Sequence, residues 1–207
     1  MIDKGLWSSK TIKKLFFLKN RPGSSSMYKP KKEFFSAYRI NKKDYENFEI
    51  TDEFEIECET VDNSLKEISI EKLDYLKIDT QGSELEILRG LGDYQPLIVR
   101  TEVQILSMYD GVPSWSKLID NLYEKNYLIC DWKGIGPHVT RTPVECEMLF
   151  VPNFRNDKGK KLISENKEKF ISLMLIFGQI DLLKTIISDN KLDAPDFIEK
   201  IQDRYFN

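Results

Sequence analysis

The stretch of sequence that decides the fold is residues 73–91, which read LDYLKIDTQGSELEILRGL. Apolar, β-forming residues occupy its first part and end at Asp79, after which leucines recur at the spacing of a helix. Ser83 and Glu86 stand at the spacing of a helix capping box, and this pair predicts that the helix starts at Ser83. The stretch therefore predicts a strand, a tight turn and a helix in direct succession.

The turn between this strand and this helix carries the first candidate site residues. Ligands of open α/β proteins bind at the carboxyl ends of the strands, so Asp79 and Gln81 are expected at the rim of an active site. A purely structural interpretation stays open beside this one. An Asp after a strand is a common turn residue, and Glu84 and Glu86 suit the first turn of any helix.

A second strand repeats the pattern at residues 96–104, where an apolar run passes into polar residues. A continuously apolar strand indicates burial on both faces, and hence a parallel sheet covered by helices. Since consecutive βα units are commonly neighbours, Glu102 is expected beside Asp79 at the same rim. Two carboxylates there would raise each other's pKa, and at least one could accept a proton.

The remaining segments predict an α/β domain at residues 1–152 followed by a helical tail at residues 153–207. The apolar stripes of the tail could cover the domain, pair with a second copy of the chain or dock another partner. The further predicted elements are strands at 14–18, 54–58, 127–132 and 146–151, a short helix or turn at 62–67, and helices at 115–123, 159–176, 179–188 and 195–206.

The composition of the chain argues against several classes of function. The 31 basic and 34 acidic residues nearly cancel, which argues against a nucleic acid as partner. No apolar run reaches the length of a membrane span, and the amino-terminal residues lack the apolar core of a signal peptide. We therefore expect a cytoplasmic protein.

Little in the sequence indicates a metal site. The chain has a single histidine, His138, which is interpreted as a loop residue. Its three cysteines, Cys58, Cys130 and Cys146, lie far apart in strand-like segments. This spacing indicates buried thiols and gives no pattern for a disulfide framework or a zinc site.

Residues 19–30 form a predicted loop rich in Ser, Gly and Pro. Ser24, Ser25 and Ser26 offer hydroxyl groups and backbone N–H groups that suit an anionic or hydroxyl-rich ligand. An ordinary flexible connector has the same composition, so both interpretations stay open.

Taken in order, these segments resemble the FkbM-type family of S-adenosylmethionine-dependent methyltransferases. The resemblance extends from Leu6 to Pro152. The segments that carry it are 22–28, 60–62, 76–84, the strand end at Glu102, 109–113 and 126–128.

The resemblance implies a Rossmann-like, mostly parallel sheet and methyl transfer from S-adenosylmethionine to a hydroxyl of a sugar, glycolipid or secondary metabolite. It implies that Asp79 lies closest to the reacting centre and orients or deprotonates the acceptor hydroxyl, with Glu102 as the second candidate. The substrate-binding residues that it implies are Gln81, Glu84, Ser24, Ser25 and Ser26.

One feature of the family has no match in this sequence. Such enzymes bind the methyl donor with a Gly-rich turn after their first strand and an acidic residue after their second. Here residues 90–92 end a predicted helix and residues 134–136 run into Pro137, so neither forms the expected cradle. The resemblance therefore implies the carboxyl-terminal half of such a domain without its first strands, with the donor-binding residues unknown. An inactive remnant or a partner-binding subunit of a methyltransferase is the alternative.

Overall fold

The computed structural model describes residues 3–134 and 144–200. Within these residues the strands are β1 Gly5–Leu6, β2 Thr11–Phe17, β3 Asp52–Glu59, β4 Tyr75–Ile78, β5 Ile98–Gln104, β6 Tyr127–Gly134 and β7 Glu145–Pro152. The α-helices are α1 Phe34–Ala37, α2 Val61–Glu67, α3 Glu84–Arg89, α4 Trp115–Glu124, α5 Asp157–Glu165, α6 Lys167–Ile176, α7 Ile180–Asn190 and α8 Phe197–Lys200, and 3-10 helices lie at Pro22–Ser24 and Lys42–Phe48.

The main sheet has four strands in the order β4-β5-β7-β6. Strands β4 and β5 are parallel neighbours, paired from Tyr75 with Ile98 to Ile78 with Thr101. The predicted adjacency of these two strands is confirmed. It follows that their carboxyl ends, which carry Asp79 and Glu102, meet at one edge of the sheet.

The prediction of a mostly parallel sheet is wrong, because both sheets are mixed. In the main sheet β7 runs antiparallel to β5 and to β6. In the smaller sheet, of order β1-β3-β2, β3 is parallel to β1 and antiparallel to β2. The apolar run of β7 reflects burial on both faces, with Met148 and Leu149 in different hydrophobic clusters. Burial of this kind carries no information about strand direction.

One face of the main sheet is covered by α2, α3 and α4. The hydrophobic cluster on this face includes Ile78 and Val99 from the sheet, Leu88 from α3 and Leu122 from α4. Helix α2 starts at a polar cap, where the Thr60 side chain accepts a hydrogen bond from the Asn63 backbone N–H. Apolar contacts on this face hold α3 and α4, the helices that follow β4 and β5, against the sheet.

The other face is covered by the helical tail, whose amphipathic stripes pack on the sheet. Phe170 and Met174 of α6 share a hydrophobic cluster with Ile98 of β5 and Val151 of β7. The predicted helix at 159–176 is two helices, because the backbone of Asn166 leaves the helical conformation between them. The boundary proposed at residue 152 stays a prediction, but the described tail contributes to the same core as the sheet.

Residues 34–48 form an aromatic layer that the sequence did not predict. Helix α1 and the 3-10 helix at Lys42–Phe48 are too short to show a hydrophobic period. Phe34, Phe35 and Phe48 are buried there against Met108 and Tyr109. This layer therefore packs next to the carboxyl end of β5.

Several predictions fall outside the described residues. These are the loop role of His138, the course of the chain through Gly136, and the part of the last predicted helix beyond Lys200. Within the described parts of the chain, no helix is both long and apolar enough to cross a membrane.

Candidate active site

The candidate site is built around the turn from β4 to α3. Gln81 and Gly82 adopt positive φ angles of 58° and 114°. A non-glycine residue in this region costs local free energy, and such residues collect at functional sites. The turn folds the chain back at once, so that Asp79 and Gln81 lie at the strand end.

Glu84 holds this turn together. Its buried carboxylate accepts hydrogen bonds from the backbone N–H groups of Thr80 and Gly82, each at 2.9 Å, and from the Thr80 hydroxyl at 3.1 Å. Burial raises the pKa of Glu84, and these hydrogen bonds oppose the rise. The structure gives Glu84 a role in shaping the turn, and its contact with substrate stays a prediction.

The predicted capping box is wrong. Ser83 occupies the cap position of α3, yet its side chain makes no capping hydrogen bond, and the helix begins at Glu84. Glu86 is engaged elsewhere, since its carboxylate accepts from the Ser8 hydroxyl and pairs with Arg89 at 2.6 Å. The Glu84 carboxylate replaces the predicted box as the group that binds the N–H donors of the turn.

Gln81 bridges the two carboxyl groups that the sequence placed at the rim. Its Nε2 donates to Asp79 Oδ1 and to Glu102 Oε1, both at 3.3 Å. The Tyr109 hydroxyl lies 3.0 Å from Gln81 Oε1, within hydrogen-bonding distance of the amide oxygen. The prediction that Asp79 and Glu102 share one crevice is therefore confirmed as geometry, while their chemical roles stay predictions.

The two carboxyl groups differ in environment. Burial raises the pKa of Glu102 to about 8, and the nearby carboxyl groups of Glu145 and Asp79 add to the rise. The Asp79 side chain is 42% exposed and pairs with Lys77 at 3.2 Å. The crevice therefore combines a buried acid that is mostly protonated at pH 7 with a carboxyl group that is open to solvent.

Glu145 is a third acidic residue of the crevice, and the sequence pattern alone does not single it out. It stands at the amino-terminal end of β7, which lies at the same edge as Glu102 because β7 is antiparallel to β5. Burial raises its pKa, while Arg21 and the Tyr38 hydroxyl oppose the rise. A polar residue before an apolar run was the available signal, but it became informative only once the direction of β7 was known.

The loop at residues 19–30, referred to below as the serine loop, lies against the turn from β4 to α3. The Ser26 hydroxyl donates to the Gln81 carbonyl at 2.7 Å, and the Ser24 carbonyl accepts from the Tyr109 hydroxyl at 2.7 Å. The Ser25 hydroxyl accepts from the Leu18 N–H at 3.0 Å. These contacts brace the loop and the turn together, and the predicted contact of the three serines with substrate stays a prediction.

The described residues give little support for a metal site or for a reactive cysteine. In ranges 3–134 and 144–200, no group of three His, Cys, Asp or Glu side chains is arranged to hold a metal ion. The three cysteines are free thiols, as predicted, and Cys130 is only half-buried. Burial raises the pKa of Cys146 to about 11 and that of Cys130 to about 12, so neither is an activated nucleophile.

Within residues 3–134 and 144–200, the crevice does not form a complete pocket for S-adenosylmethionine. At Gly82, the glycine of the β4–α3 turn, an added Cβ would lie 2.7 Å from the Val112 side chain, so protein already fills that space. The cavity beside Glu102 measures about 20 Å³, far below the several hundred Å³ of a typical cofactor site. A cleft of about 660 Å³ lies at the opposite end of β4, beside Asp74. Among the described residues, the cavity at the crevice is therefore too small to hold S-adenosylmethionine.

Comparison with known protein families gives a match. Residues 12–129, more than half of the chain, match the family model described as a methyltransferase FkbM domain. A search of curated proteins and a search of solved structures found no match.

Proposed function

Because the chain belongs to the FkbM methyltransferase family, we propose that it methylates a hydroxyl group of a small molecule or glycan, with S-adenosylmethionine as the methyl donor. When bound, S-adenosylmethionine supplies an electrophilic methyl group. The observation that carries the proposal is the contact of Asp79 and Glu102 with one Gln81 amide, at the end of two parallel strands.

The protein must orient the acceptor hydroxyl group and remove its proton. Asp79 is the exposed carboxyl group of the crevice, so in this proposal it accepts that proton. Glu102 is protonated near neutral pH and lies within hydrogen-bonding reach of Asp79, so it holds the Asp79 side chain in place. Gln81 bridges the carboxyl groups of Asp79 and Glu102 and so sets the distance between them.

Replacement of Asp79 by Asn tests this assignment. The amide keeps the shape of the side chain and cannot accept a proton, so the rate of methyl transfer is expected to fall by about 10²- to 10⁴-fold. The assay follows formation of S-adenosylhomocysteine with a panel of sugars and polyols as acceptors.

The matched control is Asp110→Asn. Asp110 is 79% exposed and lies near Lys31, at 3.8 Å, so its replacement is expected to leave the rate unchanged. A wild-type rate in Asp79→Asn, with the fold intact by circular dichroism, would remove Asp79 from the mechanism.

A second candidate function is that of a partner-binding subunit. Two observations favour it: the described residues lack a donor pocket at the crevice, and β4 lies at an edge of its sheet with β5 as its neighbour. Calorimetric titration with S-adenosylmethionine separates the two candidates. Micromolar binding supports an enzyme that acts alone, whereas absence of binding supports a subunit or an inactive remnant.

A further inference from the structure

Residues 19–43 form a strongly basic segment beside the crevice. They contain eight Lys or Arg residues and one acidic residue, although the whole chain has a net charge of −3. The segment includes the serine loop, which lies against the β4–α3 turn, and α1, which packs beside the end of β5. Among the described residues, its single ion pair joins Lys31 to Asp110 at 3.8 Å. Most of its positive charge is therefore not paired with carboxyl groups of the described protein.

The fold holds one cation of this segment, Arg21, in a fixed position. Its Nε donates to the Ser24 hydroxyl at 3.0 Å, and Ser24 is a buried residue. Its guanidinium carbon lies 4.7 Å from the centroid of the buried Phe48 ring. These contacts occupy the Nε donor and one face of the guanidinium group. The terminal N–H groups, which point away from Nε, are left for another partner.

Arg21 acts on the crevice without pairing to its carboxyl groups. Its positive charge opposes the rise in the pKa of Glu145 and of Tyr109, so it lies close enough to affect both. Within residues 3–134 and 144–200, no carboxyl group forms an ion pair with Arg21. The segment 135–143, which ends just before Val144 and Glu145, contains no Asp or Glu, and its Arg141 is a further basic residue. That segment therefore has no carboxylate side chain to offer to Arg21.

A chain of hydrogen bonds connects Arg21 to Asp79. Ser24 accepts from Arg21 through its hydroxyl, and its carbonyl oxygen lies 2.7 Å from the Tyr109 hydroxyl. That hydroxyl lies 3.0 Å from Gln81 Oε1, and Gln81 Nε2 donates to Asp79 Oδ1 at 3.3 Å. The guanidinium group and the exposed carboxyl group of the crevice are thus held in a defined arrangement by the same network.

The chemistry of this position favours an anion. A guanidinium group binds a carboxylate or a phosphate through two parallel charge-assisted hydrogen bonds. Burial raises the pKa of Glu102 and of Glu145, so near neutral pH these two groups repel an anion less than free carboxylates would. The surrounding basic segment attracts anions from solution and raises their local concentration.

We propose that Arg21 binds a carboxylate or phosphate group of the acceptor, while the hydroxyl group to be methylated lies at Asp79. The acceptor is then an anionic, hydroxylated molecule, and Arg21 determines the specificity for its charged group. This inference rests on the proposed function, because it takes the bound anion to be the molecule that is methylated.

The test is a titration of the ¹⁵N-labelled protein at constant ionic strength, followed by NMR of the arginine Nε–H groups. The Arg21 resonance is identified by its loss in Arg21→Lys. The probes are D-glucuronate and glycerol phosphate, and the matched neutral controls are D-glucose and glycerol. We expect a saturable shift of the Arg21 resonance with at least one of the two anions and none with the neutral controls.

Variants locate the binding position by calorimetry. Arg21→Met removes the charge and the paired donors, so the affinity for the anion is expected to fall about 10- to 100-fold. Arg21→Lys keeps the charge without the planar fork and is expected to lose less. Arg155→Met is the matched control, because Arg155 also lies over an aromatic ring, that of Phe154, but follows the opposite end of β7. Its affinity should equal that of the wild type.

Four results would overturn the inference. They are no Arg21 shift with either anion, equal shifts with the neutral controls, an Arg21→Met protein that folds by circular dichroism and binds as the wild type does, and an equal loss in Arg155→Met. Binding to vesicles that contain phosphatidic acid, with no shift from either soluble anion, would equally overturn it in favour of a lipid surface.

Failure of the proposed function is distinguishable from these results. A chain that binds an anion through Arg21 but neither binds S-adenosylmethionine nor transfers a methyl group keeps the anion site and loses the enzymatic role. A chain that methylates neutral acceptors, and whose Arg21 resonance does not respond to anions, keeps the enzymatic role and loses the anion site.

Discussion

At the scale of the residue, the buried acid Glu102 links the stability of the protein to pH. Its folded-state pKa of about 8 lies above the ordinary value of 4.5, so between these two values the folded chain binds more protons than the unfolded chain. The free energy of unfolding is therefore expected to fall as pH rises from about 4.5 to about 8, and to level off above that.

The variant Glu102→Gln isolates this effect, because Gln keeps a neutral side chain of the same shape. Urea midpoints measured from pH 5 to pH 9 should show the gap between variant and wild type widening in favour of the variant as pH rises. A constant gap across that range would contradict the raised pKa.

Tyr109 carries a second residue-scale prediction. Its buried hydroxyl lies 2.7 Å from the Ser24 carbonyl and 3.0 Å from Gln81 Oε1, so it joins the serine loop to the bridging amide. Tyr109→Phe removes the single hydroxyl proton that these two oxygens share and is expected to cost about 1–3 kcal/mol of stability. Because Gln81 also loses its orientation, methyl transfer should fall as well.

The matched control for Tyr109 is Tyr123→Phe, since Tyr123 is 66% exposed. Thermal denaturation should show a lower melting temperature for the first variant and no change for the second. Equal melting temperatures would mean that the Tyr109 hydroxyl does not brace the crevice.

Only some residues of the crevice could be predicted from the sequence. Asp79, Gln81 and Glu102 could be predicted because polar residues at the carboxyl ends of parallel strands meet at one edge. Glu145 could not, because its place depends on β7 running antiparallel. The detailed partners of Glu84 depend on the left-handed turn at Gln81 and Gly82, which the composition of the turn allows but does not specify.

At the scale of the element, the end of α3 is fixed by a close backbone approach. An added Cβ at Gly90 would fall well inside contact distance of the Trp7 carbonyl, and the Gly90 carbonyl accepts from the Asp62 N–H at 3.0 Å. Gly90→Ala must therefore push the end of α3 away from Trp7, the residue after β1, and we expect a loss of about 1–3 kcal/mol.

Gly23→Ala is the control for this close approach, because an added Cβ at Gly23 meets nothing within 4 Å. Its free energy of unfolding should stay within about 0.5 kcal/mol of wild type. A Gly90→Ala protein as stable as Gly23→Ala would show that the contact of Gly90 with Trp7 does not restrain the helix.

Helix α4 and strand β5 are elements that the sequence could predict. Helix α4, predicted at 115–123, is observed at Trp115–Glu124, and β5 lies where its apolar run predicted it. The aromatic layer at residues 34–48 was missed because single-turn helices have no period to detect. Strand direction in the main sheet was missed for a different reason, since apolar runs look alike in both directions.

At the scale of the whole molecule, the tail and the sheet form one hydrophobic core. Phe170 of α6 is 0% exposed and packs in the cluster that includes Ile98 and Val151 of the sheet. Phe170→Ala is expected to cost about 3–5 kcal/mol. If the tail unfolds together with the sheet, near- and far-ultraviolet circular dichroism of Phe170→Ala should show one shared transition. Its urea midpoint should be lower than that of the wild type.

Ile176→Ala on the same helix is the control, because Ile176 is 74% exposed. It should change the urea midpoint little. Two separate transitions in the Phe170→Ala protein, with the sheet signal unmoved, would make the tail an independent unit.

Strands β4 and β5 bring Asp79 and Glu102 into one crevice, where their carboxyl groups interact. The most direct test is a ¹³C NMR titration of the Glu102 side-chain carboxyl in the wild type and in Asp79→Asn. The Glu102 pKa is expected to be about 8 in the wild type and lower in the variant, because one of the neighbouring charges has been removed. A Glu102 pKa near 4.5 that is the same in both proteins would contradict it.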